Sequence, residues 1–511
     1  MVSRRTVLIG FLTGAGAAAT AGIFGWRYIA RLWNSLTARQ PQVKPLAEAE
    51  DSYDVIIIGS GPAGSVLGKD LVEQGKRTLI LEGGPLLSNP DPKVQPIRLD
   101  TATRTSGDFT YPLIGTRVRA VGGTSNIWTG NSPRLYPLDF ERNAYTPSDA
   151  EWPITYEEIE SYYERAEQTL RVRGKPLSNY HAPRRDPNLP IPVPFWNIDG
   201  LTELLEPAGF HFEISPRSEG LADDNAPLHT VTDILPFFTD SPNATLISGA
   251  VVLRLNVDEE GNIASVDVSD YDGNIKTIQA KAYVVASGGV ESARMLLQSQ
   301  SDVYPNGIGN DNDLVGRFFM EHPNFEITGV LPSAKRIFSY QLRRAHNFYQ
   351  DYKERGLGSV IFYSQTDESG VIRLGASLEM EPQAENRVTL LDEVQDGFGN
   401  PGINLNLTFS DRDRETITAM LDQAEAALRQ IGATEIQRTD QLYGWSHHHM
   451  GTCRMGDDPA TSVVDANLRV HSTNNCYVLS SAVFVTSGGS HPTLMIAALA
   501  HRLAEHLSTL V

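Results

Sequence analysis

The chain has 511 residues, is 41% hydrophobic and 21% charged, and carries a formal net charge of −19 with only two cysteines. That length is enough for two or three domains with a sizeable core, and the acidic balance excludes charge-driven binding to nucleic acid. Cys453 and Cys476 are too few for a disulfide scaffold and sit in no C-x-x-C or C-x-x-C-H pattern, which excludes c-type haem and cysteine-held zinc or iron–sulfur; free thiols are favoured over a single disulfide between them.

Ser3-Arg4-Arg5 opens onto an uncharged, small and apolar run that reaches Trp26. A basic stretch before such a run reads as an export signal, and paired arginines point to the twin-arginine route for folded proteins. The expectation for residues 1–33 is that signal, or an uncleaved anchor that associates the chain with a membrane; the Gly and Ala content favours the signal. Either places the protein in the periplasm or on a membrane facing outward. Residues 34–50, with Pro41 and Pro45, read as a polar linker.

Asp54–Ile58 is a β-branched run without alternation, as expected of a strand buried on both faces. Gly59-Ser60-Gly61-Pro62-Ala63-Gly64 follows, then Val66, Leu67, Leu71 and Val72 at helical spacing, Gly75 as a stop, and a second strand, Thr78–Leu81, ending in Glu82. This is the context in which G-x-G-x-x-G binds a dinucleotide. Gly59 permits the turn, Gly61 admits the pyrophosphate, Gly64 lets helix and strand approach, and the helix N-terminus stabilises phosphate. Glu82 stands where a carboxylate binds ribose hydroxyls and disfavours a 2′-phosphate. The motif does not by itself choose between FAD and NAD.

Arg119–Gly130 is a second glycine-rich segment, containing Gly122-Gly123-Thr124, that lets backbone lie against a flat ligand or is simply a loop. Thr155 and Glu158 form a capping box flanked by an Ile154–Ile159 staple, which starts a helix running to Val172. A proline-rich loop spans 183–194. Asn243–Val257 and Ala264–Asp270 read as strand hairpins. Ala282–Ala286 reads as a further strand of the parallel sheet, running into Ser287-Gly288-Gly289 and a helix over Glu291–Gln298. Alternating runs at 325–328, 371–374, 388–390 and 403–407 predict an antiparallel sheet with one covered face, and a helix over Asp413–Ile431 ends at Gly432.

The C-terminal stretch carries His447-His448-His449-Met450-Gly451-Thr452-Cys453-Arg454-Met455-Gly456, then Tyr477–Ser480 as a strand, then Ser490-His491-Pro492-Thr493 before an apolar helix, Leu494–Leu507. Ser490 or His491 is the expected cap, and Pro492 suits the first turn. Three adjacent histidines on a strand alternate faces and cannot share one ion, so no metal site is expected. His501 and His506 read as solvated.

Taken together these motifs resemble the glucose–methanol–choline (GMC) oxidoreductases. The resemblance rests on the first strand, glycine turn and acidic residue, the second glycine segment, the H-x-x-G-T-x-x-M-G pattern starting at His448, and the closing His-Pro-Thr. It covers 51–135, 282–322 and 444–511, and over 323–440 it holds in position only. It implies an α/β fold: a Rossmann-like FAD-binding domain with a parallel sheet, assembled from 51–140, 241–322 and 441–511, and an α+β substrate domain with an antiparallel sheet from 141–240 and 323–440. It implies FAD and an alcohol or sugar donor, with His448 as the base that takes the hydroxyl proton, His491 as its partner, and hydride passing to flavin N5. The base is expected to titrate near working pH.

FAD contacts implied by the resemblance run from the first turn (Gly59, Ser60, Gly61, Pro62, Ala63, Gly64) through Glu82 and Gly83 to the second glycine segment (Gly122, Gly123, Thr124, Asn126, Ile127, Trp128). They continue through Val251 or Val252, Ala286, Gly288, Ser481 and Ala482 to Pro492 and Thr493. The loop at 121–128 is similar to that of the pyranose 2-oxidase branch, in which a histidine links the flavin; Ile127 stands at that position, so the expected FAD is non-covalent. The same loop makes a sugar or glycoside the first choice of substrate. A cation would want an aromatic and carboxylate cage, which the sequence does not display. The electron acceptor stays open among a quinone, a cytochrome and oxygen. The competing readings are a nicotinamide-dependent dehydrogenase, which leaves the histidine pair unexplained, and an exported flavin-binding protein or subunit without catalysis.

Overall fold

Strand Ser52–Ile58 is buried along nearly its whole length and pairs in parallel with two neighbours, Thr78–Glu82 on one side and Ile275–Val285 on the other. Ala244–Ser248 extends the sheet beyond Thr78–Glu82, and Cys476–Val478 pairs in parallel with Tyr283–Val285. The long strand Ile275–Val285 also feeds an antiparallel hairpin, Val251–Val257 with Ile263–Ser269, completing seven strands. Ala244–Ser248 therefore belongs to the parallel sheet, and the hairpin starts only at Val251. Side chains such as Val55, Ile57, Leu79, Ile80 and Val284 have no exposed surface, the burial that parallel strands require on both faces. The computed structural model describes residues 39–87, 103–173, 199–221, 227–332 and 343–511. The expected export signal and the proline-rich loop at 183–194 lie outside them. Among the described residues no helix is long and apolar enough to cross a membrane.

Residues 39–50 are not a free linker. Lys44 bridges to Ile247 at the sheet edge, and Leu46 and Ala49 are buried in the first core. Helix Pro62–Glu73 packs on this sheet and against the last helix, Thr493–Ser508. His501 of that last helix is buried, not solvated: its Nδ1 is 2.6 Å from Asp70 Oδ2, so the two helices are joined by a polar contact as well as by Leu and Ala packing. The helix that opens with the Thr155–Glu158 capping box, Tyr156–Thr169, also packs on the last helix. Trp152, Ile159, Tyr163, Ile234 and Phe238, assigned on sequence to the second domain, fill the first core instead.

The second sheet is antiparallel and also has seven strands, in the order Thr434–Gln437, Pro323–Val330, Val371–Leu378, Val360–Thr366, Arg343–Ala345 and Phe212–Ile214, with Gly444–Trp445 paired to Pro323–Val330. Helix Asp411–Gln430 covers one face through Ile417, Met420, Leu421, Ala424 and Leu428; Ser410 caps it, and Gly432 turns the chain away with a positive φ. Arg387–Gln395 and Pro401–Leu407, expected in this same sheet, form a separate three-stranded sheet with Thr103–Gly107. The parallel strand from residues 103–107 arrives from far away in the chain, which local alternation could not indicate.

Candidate active site

A cavity of about 610 Å³ runs from the glycine turn at Gly59 to His448 and His491. Its nucleotide end is built by close backbone approach. Gly59 has a φ of +110°, and a Cβ there would meet the Ala286 carbonyl oxygen at 2.6 Å; a Cβ on Gly123 (φ +54°) would meet Gly61 Cα at 3.0 Å. Only glycine fits such positions, and the space this leaves is a cradle for a flat or phosphorylated group. Glu82 closes it: Ser60 donates from its backbone N–H at 3.1 Å and its hydroxyl at 2.6 Å, and the Gly84 N–H donates at 2.9 Å. Burial pushes the Glu82 carboxyl up, against these bonds.

Among the expected contacts, Gly59, Ser60, Gly61, Pro62, Ala63, Glu82, Gly83, Gly123, Thr124, Ile127, Trp128, Val251, Ala286, Gly288, Ser481, Pro492 and Thr493 all line this cavity, as does Val252. Four do not. A Cβ on Gly64 would sit 2.0 Å from the Gly59 carbonyl, so Gly64 serves the turn itself. Gly122 donates its N–H to Ser60 Oγ at 3.0 Å. The Asn126 amide is turned inward to the Val121 and Gly123 carbonyls at 3.0 and 2.9 Å. Ala482 is buried and accepts from the Cys453 N–H at 2.8 Å.

The other end of the cavity holds the imidazoles. His448 lies in a loop rather than on a strand; its neighbour His447 has a φ of +64°. The rings of His448 and His491 are 4.8 Å apart between centroids and nearly perpendicular, at 68°. A third imidazole, missed on sequence, stands behind them. His322 Nδ1 lies 2.8 Å from His448 Nδ1, and His322 Nε2 lies 2.7 Å from the Gly488 carbonyl oxygen. A carbonyl only accepts, so His322 Nε2 carries the proton and its Nδ1 is an acceptor. His448 must then donate from Nδ1, which leaves its lone pair on Nε2. Burial pushes His322 down to about 4, so it is neutral at pH 7.

Burial also holds His448 and His491 well below the usual imidazole range, aided for His448 by His491 and His322 and for His491 by Arg344. The expectation of a base titrating near working pH is corrected accordingly: packing against the cavity wall and the neighbouring cationic groups favour the neutral form of both rings. His491 Nε2 is 3.5 Å from Asn131 Nδ2, and its Nδ1 is buried without a hydrogen bond.

Glu321, also missed, fixes the loop. Its carboxylate accepts the backbone N–H of His448 at 2.7 Å, of His322 at 2.5 Å and of Ser446 at 3.2 Å, and the Tyr111 hydroxyl at 2.7 Å. Burial pushes it up to about 7 against these donors. With the Tyr111 proton given to Glu321, His449 Nε2, 2.9 Å from the Tyr111 oxygen, carries a proton and donates to it. Glu321 and His322 adjoin Pro323, where a strand of the second sheet begins; the pairing of that strand with Gly444–Trp445, together with the Met320–Met450 bridge, brings them beside His448.

Helix Thr493–Ser508 begins at the cavity with Pro492 as its N-cap; neither Ser490 nor His491 caps it with a side chain. Its free N–H groups thus remain available at the cavity wall. Cys453 and Cys476 are free and buried, and among the described residues no group of His, Cys, Asp and Glu could hold a metal ion.

A family model described as GMC oxidoreductase matches residues 382–500. Paromamine 6′-oxidase of Streptomyces fradiae is 31% identical over 503 residues, covering 89% of this chain and 91% of its own. The fructose dehydrogenase large subunit of Gluconobacter japonicus is 26% identical, covering 89% and 96%. A crystal structure of pyridoxine 4-oxidase from Mesorbium loti superposes with a TM-score of 0.65 at 18% identity, covering 89% of this chain and 99% of that one, a likeness of fold. The chain belongs to the GMC oxidoreductases, a generally FAD-dependent family, and is an oxidoreductase of alcohol- or sugar-type substrates.

Proposed function

We propose that His448 is the base of this enzyme, that it takes the hydroxyl proton of a sugar or glycoside on Nε2, and that His491 orients the same oxygen. The observation that carries this reading is the chain from the Gly488 carbonyl through His322 to His448, which leaves one lone pair on a cavity-lining imidazole. FAD, when bound, supplies the acceptor for the carbinol hydride. The glycine cradle, Glu82 and the wall residues above would hold it. Among residues 123–131, those that line the cavity are Gly123, Thr124, Ile127, Trp128, Thr129 and Asn131, none of them a histidine, cysteine or tyrosine able to form a link, which supports non-covalent FAD.

The remaining work belongs to the protein. His322 accepts from His448 Nδ1 and so stabilises the imidazolium that forms on proton transfer, as a second group orients a general base in other enzymes. The N-terminus of the last helix favours negative charge at its end of the cavity. The relatives named for paromamine and fructose support a sugar-like donor. We also propose export by the twin-arginine route on the strength of Arg4-Arg5 and the run that follows; replacing both arginines by lysine should hold the enzyme in the cytoplasm.

The test is anaerobic. Sugars, glycosides, choline and simple alcohols are added to the holoenzyme while the flavin band near about 450 nm is followed. A sugar or glycoside should bleach it fastest. His448→Ala should retain FAD and bleach about 10²–10⁴-fold more slowly. Bleaching by none of the sugars, or at an undiminished rate in the variant, contradicts the proposal.

A further inference from the structure

Three acidic side chains line the cavity, and each already has its partners. Glu82 is held by Ser60 and Gly84, Glu291 by Arg119 and Arg294, and Asp396 by Arg294. None of the three stands on the antiparallel second sheet. The second sheet contributes Asn324, Ser377, Tyr363 and Trp445 to the cavity lining and, among the described residues, one formally charged side chain, Arg344.

Arg344 sits in the short strand Arg343–Ala345, whose neighbour Val360–Thr366 carries Tyr363. Its guanidinium carbon lies 5.5 Å from the centre of the Tyr363 ring, and Nη1 donates to the Arg343 carbonyl at 3.2 Å. Among the described residues Tyr363, not a carboxylate, is the group that acts on its charge, whereas Arg119 and Arg294 of the same cavity are both paired. Burial lowers it only to about 10, so it is charged at neutral pH. The Tyr363 hydroxyl likewise has no hydrogen-bond partner among the described residues. The ring is seated by Gly375, its partner across the strands, where a Cβ would meet Tyr363 Cζ at 2.8 Å.

Arg344 is half-buried and, although Glu213 stands opposite it in the strand pairing, its charge is left without an ion-pair partner among the described residues, which is unfavourable. A guanidinium fork is the group that recognises a carboxylate in two parallel bonds. We infer that Arg344, assisted by the Tyr363 hydroxyl, determines specificity and that the alcohol this enzyme oxidises carries a carboxylate, as a sugar acid does. The inference rests on the alcohol-oxidising reading of the cavity and adds the chemical class of its substrate. One guanidinium, with no second cation beside it in the cavity lining among the described residues, matches a single negative charge rather than a phosphate dianion.

The experiment separates recognition from catalysis by using ligands that cannot be oxidised. Cyclohexanecarboxylate and cyclohexanecarboxamide are titrated calorimetrically into the FAD-loaded holoenzyme. The carboxylate should bind about 30-fold more tightly or better, the scale of a desolvated charge pair. Arg344→Met should erase that preference with FAD content unchanged, and Arg344→Lys, which keeps the charge but not the fork, should retain part of it. His448→Ala should leave it intact, so failure of the base reading and failure of this one are distinct results. With oxidisable ligands, gluconate should show a lower KM than glucitol in the parent and not in Arg344→Met. Equal affinity for carboxylate and amide in the parent, or a preference that survives Arg344→Met, overturns the inference.

Discussion

At the residue scale the site depends on which atoms can only accept. The Gly488 carbonyl decides the tautomer of His322, and His322 decides that of His448. Glu321 plays the corresponding part for the backbone, since three N–H groups of the site end on one buried carboxylate. Its replacement by alanine leaves those donors without a partner, at about 1–3 kcal/mol for each buried orphan. Glu321→Ala should therefore unfold in urea with a loss of about 3 kcal/mol or more, and the remaining folded enzyme should turn over more slowly because the His448 loop is released. His448 and His491 were legible in the sequence because they stand in short, recognisable strings. Glu321, His322, Arg344 and Tyr363 were not, because nothing local distinguishes them from other residues at strand starts and interiors; the register of distant strands brings them to the cavity.

At the element scale the turn Ser487–His491 is held by a buried charge cluster of Asp139, Lys353 and Glu379. The Tyr349 hydroxyl receives the Gly489 N–H at 2.8 Å and donates to Asp139 at 2.7 Å. Lys353 Nζ lies 2.6 Å from Glu379 and 3.6 Å from Asp139, with both carboxylates fully buried. Removing one member of such a cluster is costly because it strands the others. Lys353→Met should lose about 3–5 kcal/mol of stability and, since this turn leads into His491, should also loosen the arrangement that the histidine pair needs; thermal unfolding with and without FAD would measure the first effect. The elements themselves were mostly readable. Helix Tyr156–Thr169 begins at its capping box and helix Asp411–Gln430 stops before Gly432, because capping is local chemistry. The separate three-stranded sheet was not readable, since its parallel partner Thr103–Gly107 is remote.

At the scale of the whole molecule, the site lies between the nucleotide sheet and the second sheet, and the burial of imidazoles there has a cost in acid. Burial holds His322 at about 4 and both His346 and His449 at about 3. Each is neutral in the fold, whereas the unfolded chain takes up a proton near about 6.5. Their contribution is therefore complete above that pH and is lost as pH falls, by about 1.4 kcal/mol per unit for each group, down to the folded value. Carboxyls raised by burial, Asp139 to about 6 and Asp413 to about 7, act in the opposite direction over the same window. A difference measurement isolates one imidazole. In urea unfolding, His346→Gln should gain on the parent by about 1.4 kcal/mol per unit as pH drops from about 6.5 towards 4, and a difference independent of pH would contradict the assignment.

The claim that joins these scales is that His448 presents a bare Nε2 to the substrate. Long-range ¹H–¹⁵N correlation on ¹⁵N-histidine-labelled holoenzyme at pH 7, with His448→Ala used to assign its signals, reads the tautomer directly. The account predicts a neutral ring protonated on Nδ1, with Nε2 at the shift of an unprotonated nitrogen. A ring protonated on Nε2, or on both nitrogens, would contradict it, since neither has a lone pair where the hydroxyl proton must go.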